Sequence, residues 1–291
     1  MYKFDFIAPQ TAAEAVAELQ NRGPGGKLLA GGTDLLLQIK ARVMKPAYVV
    51  DLSRVGELAQ IEDRSGEGVF VGSMVRLRTI QLSPVLAERS PILVDGAKLV
   101  GSIQIRNLAT LGGNLCNAAP SADVSPPLIV AGARAEILGP AGRRSVSLDD
   151  FFLGPRRTVL GPDEVLLGVL IPRAPRRSGG SYLRHTPRKE MDIAVVGVGS
   201  AVTLDDGYCT AARIALGAVA PTPIRSVKAE SVLVGQRLST ELITRAAETA
   251  AEDARPISDV RGSAEFRRHL VAELAKRTLT TAWAQAQGEE A

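Results

Sequence analysis

Leu28-Leu29-Ala30-Gly31-Gly32-Thr33-Asp34-Leu35, answered further along by Thr110-Leu111-Gly112-Gly113-Asn114-Leu115, decides how this 291-residue chain is read. Each stretch sets a Gly-Gly pair after apolar residues and before a small polar one. Without Cβ atoms, backbone N–H groups lie open to a ligand. A polar residue followed by a helical run can aim further N–H groups and a helix dipole at an anion. Two such stretches describe a clamp on both sides of one elongated, phosphate-bearing ligand. They equally describe two ordinary turns, since Gly-Gly is common turn punctuation. The residues alone leave both readings open.

Composition narrows the class. Hydrophobic residues make up 45% and charged residues 23%, as in soluble globular proteins, and the length suits two domains, one of them divided further. Aromatics, at 4%, offer few stacking surfaces for single-stranded nucleic acid, and a net charge of +4 supplies no general basic field for it. Charge is uneven, however: Arg173, Arg176, Arg177, Arg184, Arg188 and Lys189 are close in sequence, with Glu190 the nearby acid. Such a run is a solvated loop, or else a phosphate contact or docking face. The helical C-terminus is a second candidate docking surface.

Cys116 and Cys209 exclude a disulfide framework and fit a reducing compartment. They are too few to ligate an iron–sulfur cluster, which takes about four cysteines. Cys116, beside the second glycine stretch, reads as a small buried filler. His185 and His269 have no metal-binding spacing, so no metal site is expected. Met1 to Phe6 lacks a secretory h-region and no apolar run could span a bilayer, so the expected location is cytoplasmic.

Along the chain, residues 4–7 read as a strand, and Thr11-Ala12-Ala13-Glu14 as a capping box opening a helix that ends near Gly23. Lys27–Ala30 and Ala47–Asp51 read as strands, with Thr33 or Asp34 capping a short helical run over Leu35–Lys40. Val69–Gly72 is a strand, Thr79 precedes a helical turn, and Pro91–Val100 is helical. Pro120, Pro126 and Pro127 bracket a loop around Asp123. Ala133–Leu138 and Val165–Ile171 are strands. The Pro, Arg, Ser and Gly of residues 172–181 mark a boundary. Beyond it, Ile193–Leu204 and Ala211–Ala220 are strands joined at Asp205-Asp206-Gly207, and helix dominates from Thr240.

Common catalytic motifs fail. Neither glycine stretch has the G-x-G-x-x-G of a Rossmann unit, although the βαβ-like start invites it. Gly26-Lys27 approaches a P-loop, but Asn21 replaces the first Gly and Leu28 the Ser or Thr. No G-x-S-x-G elbow occurs.

The two stretches, together with Cys116-Asn117-Ala118 and Ser121-Ala122-Asp123, resemble the FAD-binding medium subunit of molybdenum hydroxylases, the group of xanthine dehydrogenase and carbon monoxide dehydrogenase. Glu164-Val165-Leu166-Leu167 through Ile171-Pro172 resembles the family's end-of-domain strand. Arg188-Lys189-Glu190-Met191-Asp192-Ile193-Ala194 resembles the opening of its C-terminal domain. The likeness spans roughly residues 3–285.

The resemblance implies an α+β chain: a two-subdomain FAD-binding fold of the vanillyl-alcohol-oxidase-like (PCMH) type over residues 1–175, then a smaller C-terminal domain of antiparallel sheet and helices over 178–285. The N-terminal subdomain would take about residues 1–55 and the middle one about 56–175. FAD would lie between them. Leu28, Leu29, Ala30, Gly31, Gly32, Thr33, Asp34 and Leu35 would hold its pyrophosphate region from one side. Thr110, Leu111, Gly112, Gly113 and Asn114 would hold it from the other, through backbone N–H groups and the Thr and Asn side chains. Asp123, by itself a loop cap, would accept hydrogen bonds from hydroxyls of the nucleotide. Leu166 would pack near flavin or adenine, and Arg184 would supply a basic group near the cofactor. Val100 stands where some relatives place an aromatic over the flavin, leaving a residue such as Tyr182 to shield the ring.

In function, the resemblance implies an electron-transfer subunit with no catalytic side chain of its own. A large partner subunit would carry molybdopterin and a small one two [2Fe–2S] clusters, plausibly as a dimer of heterotrimers. Electrons would leave through FAD to NAD⁺, oxygen, a quinone or another carrier. Two alternatives stand beside it: a self-sufficient FAD-dependent oxidoreductase of related fold, and an FAD-free scaffold subunit.

Overall fold

The computed structural model describes residues 2–188 and 191–288, with three larger sheets in succession and one two-stranded hairpin. The first part runs β1 (Asp5–Ile7), α1 (Ala12–Arg22), β2 (Gly26–Leu29), α2 (Leu35–Lys40) and β3 (Tyr48–Asp51). Its three parallel strands lie in the order β1-β3-β2. Helix α1 buries Ala12, Ala15, Val16 and Leu19, a stripe at helical spacing. Thr11 caps it by accepting from the Glu14 N–H at 3.1 Å. The Glu14 carboxylate reaches back to the Gln10 N–H, one residue earlier than a capping box requires. Asp34 occupies the N-cap position of α2 but makes no side-chain cap bond, contrary to the expected one.

The middle part contains β4 (Ile61–Arg64), β5 (Gly68–Gly72), α3 (Leu77–Leu82), α4 (Pro84–Arg89), α5 (Pro91–Leu99), α6 (Ile103–Arg106), α7 (Leu111–Asn117), α8 (Ser125–Val130), β6 (Arg134–Gly139), β7 (Gly142–Ser147), β8 (Phe152–Gly154), β9 (Arg157–Thr158) and β10 (Val165–Pro172). An antiparallel five-stranded sheet has the order β4-β5-β10-β6-β7, and β8 and β9 form a separate hairpin. Leu77, Leu93, Leu115, Leu128, Ile137 and Phe151 are fully buried in its core. Each such side chain contributes about 1.5–3 kcal/mol by leaving water. Two sequence expectations change here. Thr79 lies inside α3 rather than before it, and Pro126 and Pro127 open α8 rather than bracketing a loop. Proline is tolerated in a first helical turn, where its missing N–H would have no partner.

The last part comprises β11 (Ser178–His185), β12 (Val196–Asp205), β13 (Tyr208–Gly217), β14 (Ile224–Arg225), α9 (Val227–Leu233), α10 (Thr240–Asp253) and α11 (Ala264–Gln287). Its strands form a four-stranded antiparallel sheet in sequence order. Asp206 and Gly207 both have positive φ, which makes the tight β12–β13 turn match the strands' twist. Ser178-Gly179-Gly180-Ser181, read as boundary sequence, is strand. A Cβ on Gly179 would stand 2.1 Å from the Ala282 carbonyl oxygen, so this glycine admits the backbone of α11 against the sheet. Lys189 and Glu190, in the basic run and in the resemblance at 188–194, lie outside the described residues.

Candidate functional site: a cleft between two glycine stretches

A cleft of about 540 Å³ opens between the first part and the middle part. Its size falls within the range of small-molecule and cofactor sites. Ala30, Gly31, Gly32, Thr33, Asp34 and Leu35 line one wall, following directly from β2. Thr110, Gly112, Gly113 and Asn114 line the other. Leu28, Val100 and Leu166 complete the set of sequence-predicted residues found there. The two stretches touch: a Cβ on Gly31 would lie 2.0 Å from the Leu108 carbonyl oxygen, and one on Gly113 would lie 3.6 Å from the Ala30 Cβ.

The two walls differ in hydrogen bonding. Among the described residues, the N–H groups of Gly31, Gly32, Thr33 and Asp34 take no partner. Consecutive amides of this kind, bent by Gly32 at φ +72°, form a concavity suited to an anion. On the second wall the amides are already used. Leu111 N donates to Val75 O, Gly112 N to Ser73 O, Gly113 N to Thr110 Oγ1 and Asn114 N to Thr110 O, at 2.8–3.1 Å. That stretch is the first turn of α7, not a free loop. What it offers a ligand is side chain: Asn114 Oδ1 and the neighbouring Ser73 Oγ are buried without a partner among the described residues. Buried, unpaired polar atoms are costly and call for a partner.

The glycines also have distinct reasons. A Cβ on Gly112 would come 2.6 Å from the Ser73 Cβ, and one on Gly32 would meet Leu36 Cδ1 at 2.8 Å. Only at Gly113 does an added Cβ meet nothing closer than 3.0 Å, the Thr110 Oγ1. Gly31 and Gly112 are thus held to glycine by packing against backbone, and Gly32 by its positive φ.

Four sequence-predicted residues do not line the cleft. Leu29 points toward Gly32 and Leu36, and Leu111 is buried in the core of the middle part. Asp123 and Arg184 face each other, with Arg184 Nη1 2.5 Å from Asp123 Oδ2 and both side chains over nine-tenths buried. The Tyr182 hydroxyl donates to the other carboxylate oxygen at 2.8 Å. Tyr182 therefore does not line the cleft either, because its ring is buried at this pair. Burial pushes the Asp123 carboxyl above its ordinary value, against the pull of Arg184 and Tyr182, and pushes the Tyr182 hydroxyl well up. Arg184 thus leaves the basic run to tie β11 to the middle part, while Arg173, Arg176 and Arg177 are exposed.

Sequence reasoning missed Ser73, Ile105, Arg156, Leu160 and Glu164, all on the cleft. Ser73, Ile105, Arg156 and Leu160 carry no motif, Glu164 opens the segment read only as an end-of-domain strand, and the short strands β8 and β9 around Arg156 lack a clear alternation. Glu164 accepts from Arg144 Nε at 2.7 Å, from Arg144 Nη2 at 2.6 Å and from Gly161 N at 2.7 Å. Arg144 chiefly holds its carboxyl below the ordinary range. Cys116 also lines the cleft, and burial pushes its thiol up to about 12, so it is a neutral filler at physiological pH. Among the described residues no group of three or more His, Cys, Asp or Glu could hold a metal ion, and no helix is long and apolar enough to cross a membrane.

Residues 2–174 match the FAD binding domain in molybdopterin dehydrogenase, and residues 181–282 the CO dehydrogenase flavoprotein C-terminal domain. The carbon monoxide dehydrogenase medium chain of Hydrogenophaga pseudoflava is 34% identical over 97% of this chain and 98% of its own. A xanthine dehydrogenase FAD-binding subunit of Escherichia coli is 34% identical over 98% and 99%. The solved carbon monoxide dehydrogenase of H. pseudoflava superposes with a TM-score of 0.94, covering 98% of each chain at 34% identity.

Proposed function

Because this chain belongs to the FAD-binding medium subunits of the molybdenum hydroxylases, we propose that it holds FAD between the iron–sulfur clusters of a small partner subunit and an external electron acceptor. A large molybdopterin-binding subunit would complete a unit that pairs as a dimer of heterotrimers. The domains would be 1–175 and 178–285, and two free cysteines suit a cytoplasmic location.

One observation carries the reading: the unpartnered amides of Gly31 to Asp34 face a cleft whose other wall presents the orphaned Asn114 Oδ1 and Ser73 Oγ. An anion and a hydrogen-bond donor on one ligand would satisfy both, and a flavin dinucleotide carries both. Bound FAD supplies the redox chemistry, which no side chain of this cleft provides. The chain's own residues bind and orient. The first stretch would share the pyrophosphate charge among several amides. Val100, Ile105 and Leu166 would exclude water from the apolar part. Asp123, fixed by Arg184 and Tyr182, acts in this structure by joining β11 to the middle part rather than from the cleft wall.

The test is an absorbance spectrum of the purified chain before and after FAD addition and gel filtration. Flavin bands retained on the protein support the reading. A folded protein that stays colourless, alone and with its partner subunits, refutes it.

A further inference from the structure

We propose that Arg156 is a charged contact on the bound dinucleotide, its guanidinium pairing with the pyrophosphate; this rests on the FAD reading above. Arg156 sits at the tip of the β8–β9 hairpin and lines the cleft, though no motif marks it. Its backbone is in the left-handed region at φ 60°, a conformation that non-glycine residues rarely adopt. The conformation is held from outside the hairpin: Arg156 N donates to the Ala118 carbonyl at 3.2 Å, and Ala118 ends α7, whose first turn is the second glycine stretch. The tip is therefore fixed to the element that builds the other cleft wall.

Charge points the same way. Four charged side chains line the cleft: Lys27, Asp34, Arg156 and Glu164. Glu164 is satisfied by Arg144 and Gly161, and neither it nor Asp34 pairs with Arg156 among the described residues. Arg156 forms no ion pair among the described residues. An uncommitted guanidinium in the same cleft as an anion-binding row of amides matches a pyrophosphate, which it can engage through two parallel hydrogen bonds.

The experiment is calorimetric titration of the flavin-stripped full chain with FAD, ADP, adenosine and riboflavin. The exposed position of Arg156 makes R156A and R156K fold-neutral, which melting temperatures check. The expected result is a loss of about tenfold in FAD and ADP affinity for R156A, with adenosine and riboflavin unmoved and R156K intermediate. Unchanged FAD and ADP binding overturns the assignment. So does an equal loss for adenosine, which would place the contact on the base, or an equal loss in K27A, which would reduce it to the cleft's general field. Failure of the parent chain to bind FAD sinks the cofactor reading itself, an outcome distinct from a parent that binds and an R156A that binds equally.

Discussion

Replacing Gly31 by alanine tests whether the two glycine stretches are built to touch. The new Cβ would sit 2.0 Å from the Leu108 oxygen, 2.7 Å from its carbonyl carbon and 2.9 Å from the Ala109 Cα. Carbon atoms pack best at about 3.5–4.0 Å, so the backbones must separate by an ångström or so. The Leu108–Ala109 side cannot yield cheaply. Leu108 N and Ala109 N both donate to Ile105 O, and Ala109 O accepts from Leu77 N, all within 3.0 Å. Overpacking costs about 1–3 kcal/mol, and contact with pinned backbone puts this case near the top. At roughly 2–4 °C per kcal/mol for a chain of this class, we expect Gly31→Ala to lower the melting temperature by about 6–12 °C. Parting the walls also weakens flavin retention, although the methyl enters no ligand path. Thermal unfolding followed by fluorescence, with and without FAD, reads both effects. A variant that melts within about 1 °C of the parent and keeps its flavin refutes the reasoning.

Gly113→Ala should behave in the opposite way: alanine suits this helical position, so FAD-free stability holds within about 1 kcal/mol while flavin retention on gel filtration falls. Full occupancy in that variant would sink the role given to Gly113. For Glu164→Gln we expect a loss of about 1 kcal/mol at neutral pH, small because Arg144 is partly exposed. The folded carboxyl lies below its ordinary value, so this stability is complete above that ordinary value and disappears as acid passes the lower, folded one. Urea unfolding across pH checks this, and a gap between parent and variant that fails to narrow in acid contradicts it. Asp123→Asn leaves the buried Arg184 charge uncompensated, at about 3–5 kcal/mol, whereas a joint Asp123→Leu and Arg184→Met change should recover much of that. Equal destabilisation of the single and double variants in chemical unfolding would show that the pair is not the reason.

Much of the fold was legible because period and caps are local signals. Thr11 and the stripe Ala12, Ala15, Val16 and Leu19 specify α1 without reference to anything else. Where the sequence misled, a distant element supplied the missing cause. Ser178 to Ser181 carries no side-chain pattern of a strand, because its pattern is an accommodation to α11, a hundred residues away. Strand β7, with mostly exposed Arg and Ser, has no apolar face to announce it and is recruited by pairing with β6. Arg184 looked like one cation among several, and only the fold brings it to Asp123 and out of water. The cleft residues Ser73 and Arg156 are equally silent in sequence, since their roles come from the backbone position on which they are mounted.

In the fold the glycine pairs serve a different end from the one their sequence suggests. In sequence, an absent Cβ reads as room for a ligand. In the fold, Gly31 and Gly112 lack room mainly for protein, since Leu108 backbone and Ser73 occupy the space, while Gly32 is needed for its positive φ. Glycine there lets two parts of the chain approach until their walls share one cleft. Ligand recognition then falls unevenly on them. The first stretch keeps its amides unpaired, while the second spends its amides on Val75, Ser73 and Thr110 and presents Asn114 instead. An anion is thus best served from the first wall and a donor group from the second. A ligand must carry both groups to satisfy the cleft, which is a stricter demand than either glycine pair makes alone.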